Sequence, residues 1–248
     1  MNSRPKVVFL HGVGTDASSW ALQLRHFSNT CECIAWDLPG YGGTASWDYE
    51  TLADLPDYLA QSVGGFDLEP VHWVGHSLGG MLAQEIAFQH PEWVRSLTLV
   101  ATSPAFGRPD GEWQREFLKQ RLAPLQAGKT LADLAEDAIS RMSAASANPE
   151  GRACALQSMR QVPNAAYEQA LRALVAFDRR AHLSEIAAPT LLVAGAQDTN
   201  APAGVMQRMA SRIPGARFVT YEETGHLVPL ERPERFNQEL ELFWGGLS

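Results

Sequence analysis

Short apolar runs alternate with amphipathic segments along most of the chain. The apolar runs, each bounded by turn-forming residues, predict strands at 7–10, 33–37, 71–75, 97–101, 190–195 and 217–221. These runs are continuous, so we expect each strand to be buried on both faces, as in a parallel sheet covered by helices. Helical periodicity predicts helices at 18–27, 52–62, 78–89, 205–212 and 233–243. The pattern predicts an α/β protein with helices on both faces of a six-stranded, mainly parallel sheet.

A different pattern occupies 104–183, where helical periodicity continues without a convincing strand. It predicts four helices, at 112–125, 131–142, 149–162 and 165–177. Thr130, Asn148 and Asn164 suit the N-cap position, because their side chains can accept a hydrogen bond from a free amide of the first turn. Gly128 is expected to separate the first two helices. We therefore predict a helical cap at 104–183, inserted into one core made of 1–103 and 184–248.

Composition narrows the classes of function. The chain of 248 residues is 45% hydrophobic and 19% charged, as expected for a globular protein. Its net charge of -8 opposes a nucleic-acid partner, because phosphate binding needs clustered lysines and arginines. No apolar run suits a signal peptide or a membrane span. We expect a cytoplasmic protein that acts on a small molecule, with no membrane partner and no cofactor, while the oligomeric state is not indicated.

The motif Gly75-His76-Ser77-Leu78-Gly79 is the first that carries chemistry. A predicted buried strand precedes it and a predicted helix follows it, which is the setting of a nucleophile elbow. Glycine is needed on both sides because a side chain there would collide with the strand and helix backbones. The start of the helix also brings backbone amides close to developing negative charge. Ser77 is therefore the candidate nucleophile.

A second motif, Phe9-Leu10-His11-Gly12-Val13-Gly14, ends the first predicted strand. It has the form of a loop that offers backbone amides to the oxyanion of a tetrahedral intermediate, and prepositioned donors need no reorganisation during the reaction. The expected oxyanion donors are the amides of Val13 and Leu78. We expect His11 to order this loop and not to transfer protons.

A serine hydroxyl needs a base, and an imidazole that titrates near neutrality can remove its proton. His226, which follows the last predicted strand, is the candidate base. Asp198 follows the strand at 190–195 and is expected to orient the imidazole of His226. Glu222 and Glu223 are nearer to His226 along the chain, but they do not follow a separate strand. Ser77, Asp198 and His226 thus form the predicted catalytic set.

The remaining histidines and the cysteines do not form a metal-binding pattern. His26, His72, His90 and His182 are expected on helix surfaces or strand edges, and His76 is expected to line the pocket without useful titration. The three cysteines have neither the count of a disulfide framework nor the spacing of a zinc site. We therefore expect no metal.

These motifs together resemble the α/β-hydrolase superfamily, from Val7 to the last predicted helix. The chain order Ser77, Asp198, His226 is the order of that family. Within it, Asp37-Leu38-Pro39-Gly40-Tyr41-Gly42 resembles small carboxylesterases and 3-oxoadipate enol-lactonases. The resemblance implies a serine hydrolase that cleaves a small carboxylic ester or lactone through an acyl-enzyme. Such proteins usually carry a β-hairpin before the His-Gly strand, whereas only Met1 to Pro5 precede it here, so six strands are expected instead of eight.

Two alternative functions stay open. A carbon-carbon bond hydrolase of ring-cleavage products would use the same fold, and a non-catalytic ligand-binding protein can also be built on it. Serine at the elbow disfavours epoxide hydrolases and dehalogenases, which in this superfamily use aspartate at that position.

Charge is distributed unevenly along the chain. The segment 108–180 contains 11 Lys or Arg against 9 Asp or Glu, while the remainder contains 9 against 19. Any single one of these arginines can simply lie on a solvated helix face. Because an arginine can bind a carboxylate through two parallel hydrogen bonds, the functional alternative is that one or two cap arginines face the elbow and bind a substrate carboxylate. The candidates are Arg115, Arg121, Arg141, Arg152, Arg160 and Arg172.

Overall fold

A computed structural model describes residues 4–63, 70–107 and 111–247. Six strands in these ranges form one sheet in the order β2-β1-β3-β4-β5-β6, and every pairing is parallel. The six-stranded parallel sheet predicted from the apolar runs is confirmed. The strands are β1 (Lys6–Leu10), β2 (Glu32–Trp36), β3 (Val71–His76), β4 (Val94–Val100), β5 (Thr190–Gly195) and β6 (Arg217–Tyr221).

Helices cover both faces of the sheet, and alternate strand residues face opposite sides. Val8 and Leu10 of β1 belong to one apolar cluster, while Val7 and Phe9 belong to a second cluster on the opposite face. The helices that flank the sheet are α1 (Ala21–Phe27), α2 (Leu55–Ser62), α3 (Leu78–Gln89), α8 (Ala203–Ala210), α9 (Val228–Glu231) and α10 (Pro233–Gly245).

The edge strands differ from the prediction. The expectation that every strand is buried on both faces is wrong for β2 and β6, whose first residues are exposed and whose middle residues are half-buried. Each lies at an edge of the sheet, so only one side of its backbone is paired. The expectation for His72 is also wrong, because this residue is buried in β3, where its Nδ1 lies 2.7 Å from Ser96 Oγ and burial lowers its pKa to about 4.

Four further helices lie between β4 and β5, where the cap is predicted. They are α4 (Glu112–Gln126), α5 (Leu131–Met142), α6 (Pro149–Gln161) and α7 (Asn164–Ala176). Thr130 and Asn148 cap α5 and α6 by accepting the amides of Asp133 and Gly151. The N-cap prediction for Asn164 is wrong. Its side chain instead accepts the amide of Leu131 and donates to the Lys129 carbonyl, which ties the start of α7 to the start of α5.

The two ends of this insertion meet at its base. Ala105 and Asp178 form an isolated antiparallel bridge, and the amide of Phe106 donates to the Phe177 carbonyl at 3.0 Å. Arg179, the residue after Asp178, donates two hydrogen bonds to the carboxylate of Glu85 on α3, with nitrogen-oxygen distances of 2.9 and 2.6 Å. Within the described ranges, no helix has the length and apolar character needed to cross a membrane.

Candidate active site

Ser77 lies in a sharp turn between β3 and α3. Its backbone has a φ of 54° and a ψ of -116°, a conformation that costs a non-glycine residue about 1 to 3 kcal/mol. The turn is also tightly packed, because a Cβ on Gly75 would lie 2.3 Å from the Gly79 carbonyl oxygen and one on Gly79 would lie 2.1 Å from the Leu10 carbonyl oxygen. Glycine at both positions therefore allows the turn that presents the Ser77 hydroxyl.

The three predicted catalytic side chains lie together at the carboxyl ends of the strands. Nε2 of His226 is 3.1 Å from Oγ of Ser77, and Nδ1 of His226 is 2.8 Å from Oδ2 of Asp198. Glu222 and Glu223, the nearer acids in the sequence, are exposed. This arrangement can transfer a proton from the serine hydroxyl to an imidazole that is held by a carboxylate.

Asp198 is buried and held by backbone amides. Its Oδ1 accepts the amides of Asn200 at 2.7 Å and Ala201 at 3.0 Å. Burial alone would raise the pKa of Asp198, but the charge and hydrogen bond of His226 and these two amides bring that pKa below its usual value. The ionised carboxylate accepts from Nδ1–H of His226, which leaves Nε2 free to accept the proton of Ser77.

The loop after β1 carries one of the predicted oxyanion donors, and α3 begins with the other. Among the described residues, no protein acceptor takes the amide proton of Val13 or of Leu78. The Leu38 amide donates to Nε2 of His11 at 3.1 Å, so Nδ1 carries the proton and donates to the Gly12 carbonyl at 2.8 Å. Burial lowers the pKa of His11, which is consistent with a neutral ring that orders this loop.

Tyr41 also holds the loop after β1, a role that the sequence did not indicate. Its hydroxyl donates to the Val13 carbonyl at 2.9 Å. Because this carbonyl is held, the peptide plane between Val13 and Gly14 has little freedom to rotate. The only signal in the sequence was the position of Tyr41 inside the motif that follows Asp37.

A second link to this loop comes from the cap. Ser158 on α6 is fully buried, accepts the Asp16 amide at 2.7 Å and donates to Asp16 Oδ1 at 2.8 Å. Asp16 and Ser158 are 142 residues apart in the sequence. The position of α6 and the position of the candidate oxyanion loop therefore depend on each other.

Two buried side chains hold the loop that carries His226. Nε2–H of His76 donates to the His226 carbonyl at 2.8 Å, and burial, with smaller contributions that include the charge of His226, lowers the pKa of His76 to about 3. Glu231 accepts the amides of Gly225 and Leu227, both at 2.9 Å, and the amide of Ala144 in the cap at 2.7 Å. The sequence did not identify Glu231 as a part of the site.

A cavity of about 290 Å³ lies between the elbow and the cap. Ser77, His226 and Val13 contribute from the core, while the cap contributes mainly apolar side chains such as Phe117, Met159 and Leu171. Its size suits a small molecule. No group of three or more His, Cys, Asp or Glu side chains in the described part of the chain is arranged to hold a metal ion.

Comparison with known proteins places this chain in a family. A model of the alpha/beta hydrolase family matches residues 7–239. A pimeloyl-[acyl-carrier protein] methyl ester esterase of Aeromonas hydrophila is 31% identical over 254 residues, which cover 97% of this chain and 96% of the relative. An (E)-2-((N-methylformamido)methylene)succinate hydrolase of Acinetobacter baylyi is 27% identical, with 95% of this chain and 88% of the relative covered.

A solved structure has the same fold. The enol-lactonase from Burkholderia xenovorans LB400 superposes with a TM-score of 0.84, covering 99% of this chain and 92% of the other, at 23% sequence identity. The predicted α/β-hydrolase fold with a helical insertion is thereby confirmed. The chain belongs to the alpha/beta hydrolase family and is a hydrolytic enzyme of that fold.

Proposed function

We propose that the protein hydrolyses a small carboxylic ester or lactone through an acyl-enzyme on Ser77. The observation that carries this proposal is the continuous chain of contacts from Ser77 Oγ to His226 at 3.1 Å and from His226 to Asp198 at 2.8 Å. A binding protein would not need this arrangement together with two free backbone amides. The similarity to a methyl ester esterase supports an ester as the bond that is cleaved.

In the first half-reaction, Oγ of Ser77 attacks the carbonyl carbon as Nε2 of His226 takes its proton. The negative charge that forms on the carbonyl oxygen is stabilised by the amides of Val13 and Leu78. The bond to the leaving alkoxide then breaks, and His226 gives its proton to that oxygen. Ser77 is left as an ester of the substrate's acyl part.

In the second half-reaction, water replaces the alcohol and attacks the acyl-enzyme. His226 accepts a proton from this water, and the same two amides stabilise the second tetrahedral intermediate. Ser77 then leaves with the proton returned by His226, and the acid is released. Asp198 keeps the imidazole in the tautomer that both steps need and stabilises the imidazolium.

The test uses purified protein with short-chain esters and lactones, and Ser77→Ala as the principal variant. Turnover is expected to fall by at least about ten-thousand-fold, while the free energy of unfolding stays within about 1 kcal/mol of the wild-type value. Ser103→Ala is the matched control, since Ser103 lines the same cavity and its hydroxyl donates to the Ala105 carbonyl instead of to a histidine. It should retain turnover. Mass spectrometry of an acid-quenched reaction should find the acyl group on Ser77.

The same assay tests the acid of the catalytic set and the alternative reaction. Asp198→Asn should lower turnover strongly, while Glu222→Gln and Glu223→Gln should not. Normal turnover in Ser77→Ala would contradict the proposal. Hydrolysis of a vinylogous 1,5-diketone in preference to every ester and lactone would replace it with carbon-carbon bond hydrolysis.

A further inference from the structure

The six candidate arginines of the cap differ in location, because one lines the cavity and five do not. Arg121 on α4 lines the cavity that contains Ser77. The other five candidates do not line it: Arg152 and Arg160 lie beside Glu136, Arg172 lies beside Glu168, and Arg115 and Arg141 are exposed. Among these six, Arg121 alone lines the cavity and is therefore the candidate for the arginine expected to face the elbow.

Arg121 has no carboxylate partner within salt-bridge distance in the described ranges, in contrast to Arg152, Arg160 and Arg172. No Asp or Glu in those ranges lines the cavity either. A permanent positive charge thus faces a mainly apolar cavity without a protein anion to balance it. Placing a charge in such surroundings is costly unless a partner arrives from outside.

The surroundings of Arg121 position its guanidinium without neutralising it. Its Cζ lies 5.3 Å from the centre of the Phe117 ring, and the Tyr167 side chain lines the same cavity. Burial raises the pKa of Tyr167, so this buried hydroxyl keeps its proton. The guanidinium has five N–H donors, and the Tyr167 hydroxyl adds one O–H donor to the same cavity. The pair therefore offers several donors to an anion in the cavity.

We infer that Arg121 and Tyr167 form a carboxylate subsite, and that the substrate carries a free carboxylate on its acyl part. This inference rests on the proposed function. The acyl part is the portion of the substrate that stays in the cavity through both half-reactions, so an anchor on it orients the reacting carbonyl in each of them. The substrate class is a half-ester of a dicarboxylic acid, or a lactone that bears a carboxylate.

The experiment compares monomethyl esters of the straight-chain dicarboxylic acids with methyl esters of neutral acids of equal length. The wild-type protein is expected to have a lower KM for one or more half-esters than for the matched neutral ester. Arg121→Gln should raise the KM for those half-esters about 30-fold, with kcat and the KM for the neutral ester within about two-fold of the wild-type values. Arg121→Lys keeps the charge but not the planar fork. Its KM for the half-esters should lie between the values of the wild type and Arg121→Gln.

The matched control is Arg115→Gln, which removes the same charge from the same helix at an exposed position outside the cavity. It should leave both KM values unchanged. Equal effects of Arg115→Gln and Arg121→Gln would overturn the subsite, as would an unchanged ratio of the two KM values in Arg121→Gln.

A binding measurement separates failure of the subsite from failure of the proposed reaction. In the Ser77→Ala background, calorimetry should show that a half-ester binds about 30-fold more weakly once Arg121→Gln is added. Loss of affinity in this assay supports the subsite even where no ester is turned over. Affinity that does not depend on Arg121 overturns the subsite even where Ser77-dependent ester hydrolysis is found.

Discussion

The two halves of the cap are attached to the molecule in different ways. The segment from Met142 to Gly151, which leads into α6, is joined through backbone groups to the loop that carries His226 and Glu231. The His226 amide donates to the Met142 carbonyl at 2.7 Å, and the Asn148 amide donates to the Glu231 carbonyl at 3.2 Å. Helix α6 also buries five residues, including Ser158. This half of the cap holds the loops on which the proposed chemistry depends.

Helix α4 is attached more loosely. Of its described residues only Gln114 and Leu122 are buried, and Trp113 is 59% exposed. The aromatic rings of Trp113 and Phe117 pack on Phe106 with ring centroids 5.0 and 4.7 Å apart, so side chains make these contacts. One half of the cap therefore holds the loops of the proposed catalytic residues, while α4, which carries Arg121, lines the cavity and is expected to change with less effect on those loops.

The largest expected effect comes from a substitution that displaces the start of α6 from the segment that contains Leu230. A Cβ on Gly151 would lie 1.8 Å from the Leu230 carbonyl oxygen, and a backbone atom cannot move aside cheaply. Gly151→Ala is therefore expected to lower the free energy of unfolding by about 3 kcal/mol, a fall in Tm of about 6 to 12 °C. Thermal unfolding followed by circular dichroism measures it.

The control for this variant is Gly204→Ala. Gly204 also lies near the start of a helix, but the nearest atom to its added Cβ is a flexible Arg208 nitrogen at 3.7 Å. Alanine should raise stability there by up to about 1 kcal/mol, because it restricts the unfolded chain. A Tm for Gly151→Ala equal to that of Gly204→Ala would show that α6 is not held closely against the catalytic loop.

A smaller effect is expected when the attachment is weakened without a collision. Glu231→Gln keeps the size of the side chain but replaces one acceptor oxygen with an NH2 group, which then faces an amide N–H. At least one of the amides of Gly225, Leu227 and Ala144 loses its acceptor. Because a small displacement of the His226 loop slows both proton transfers, kcat should fall about 30-fold.

Steady-state kinetics on a neutral ester test this expectation, with KM within about three-fold of the wild-type value because Glu231 does not line the cavity. Glu234→Gln is the control, since Glu234 is an exposed acid in the next turn of the chain. Equal kcat values for the two variants would show that Glu231 does not position His226.

The smallest effect is expected in the loosely attached half. Trp113→Ala should change the free energy of unfolding by less than about 1 kcal/mol, because most of the indole is already exposed. It should raise the KM for a neutral ester about three-fold through loss of apolar contact in the cavity, without a change in kcat. Trp47→Ala, at a tryptophan that is 38% exposed and lies outside the cavity, should leave KM unchanged. A large loss of stability in Trp113→Ala alone would mean that α4 is as firmly attached as α6.

Much of the fold and the positions of the proposed triad followed from local sequence patterns. Ser77 comes directly after β3, Asp198 and His226 follow the ends of β5 and β6 after short loops, and the carboxyl ends of parallel strands meet at one edge of a sheet. The meeting of these three residues at that edge could therefore be anticipated without knowledge of the loops. The same reasoning gave strand bounds within a few residues, with the largest error at the start of β4.

The contacts that support the triad could not be read in this way. The link between Asp16 and Ser158 joins residues that are distant in the sequence, and it exists only because α6 packs on the loop after β1. Arg121 could not be separated from the other cap arginines, because α4 buries too few residues to mark an inward face. Asn164 was misplaced by one position, since a cap side chain and a first-turn side chain look alike in a sequence.

The antiparallel bridge between Ala105 and Asp178 has a consequence for how such enzymes diversify. Because its two ends are paired, the insertion acts as one closed loop between two strands of the sheet. The entropy cost of closing a loop grows slowly, by about 0.6 kcal/mol for each doubling of length, so the sheet tolerates cap segments of very different size. A recombination event that exchanges α4 but retains the segment from Met142 to Gly151 would inherit an intact His226 loop. New substrate preferences can then arise by exchange of one contiguous stretch of gene.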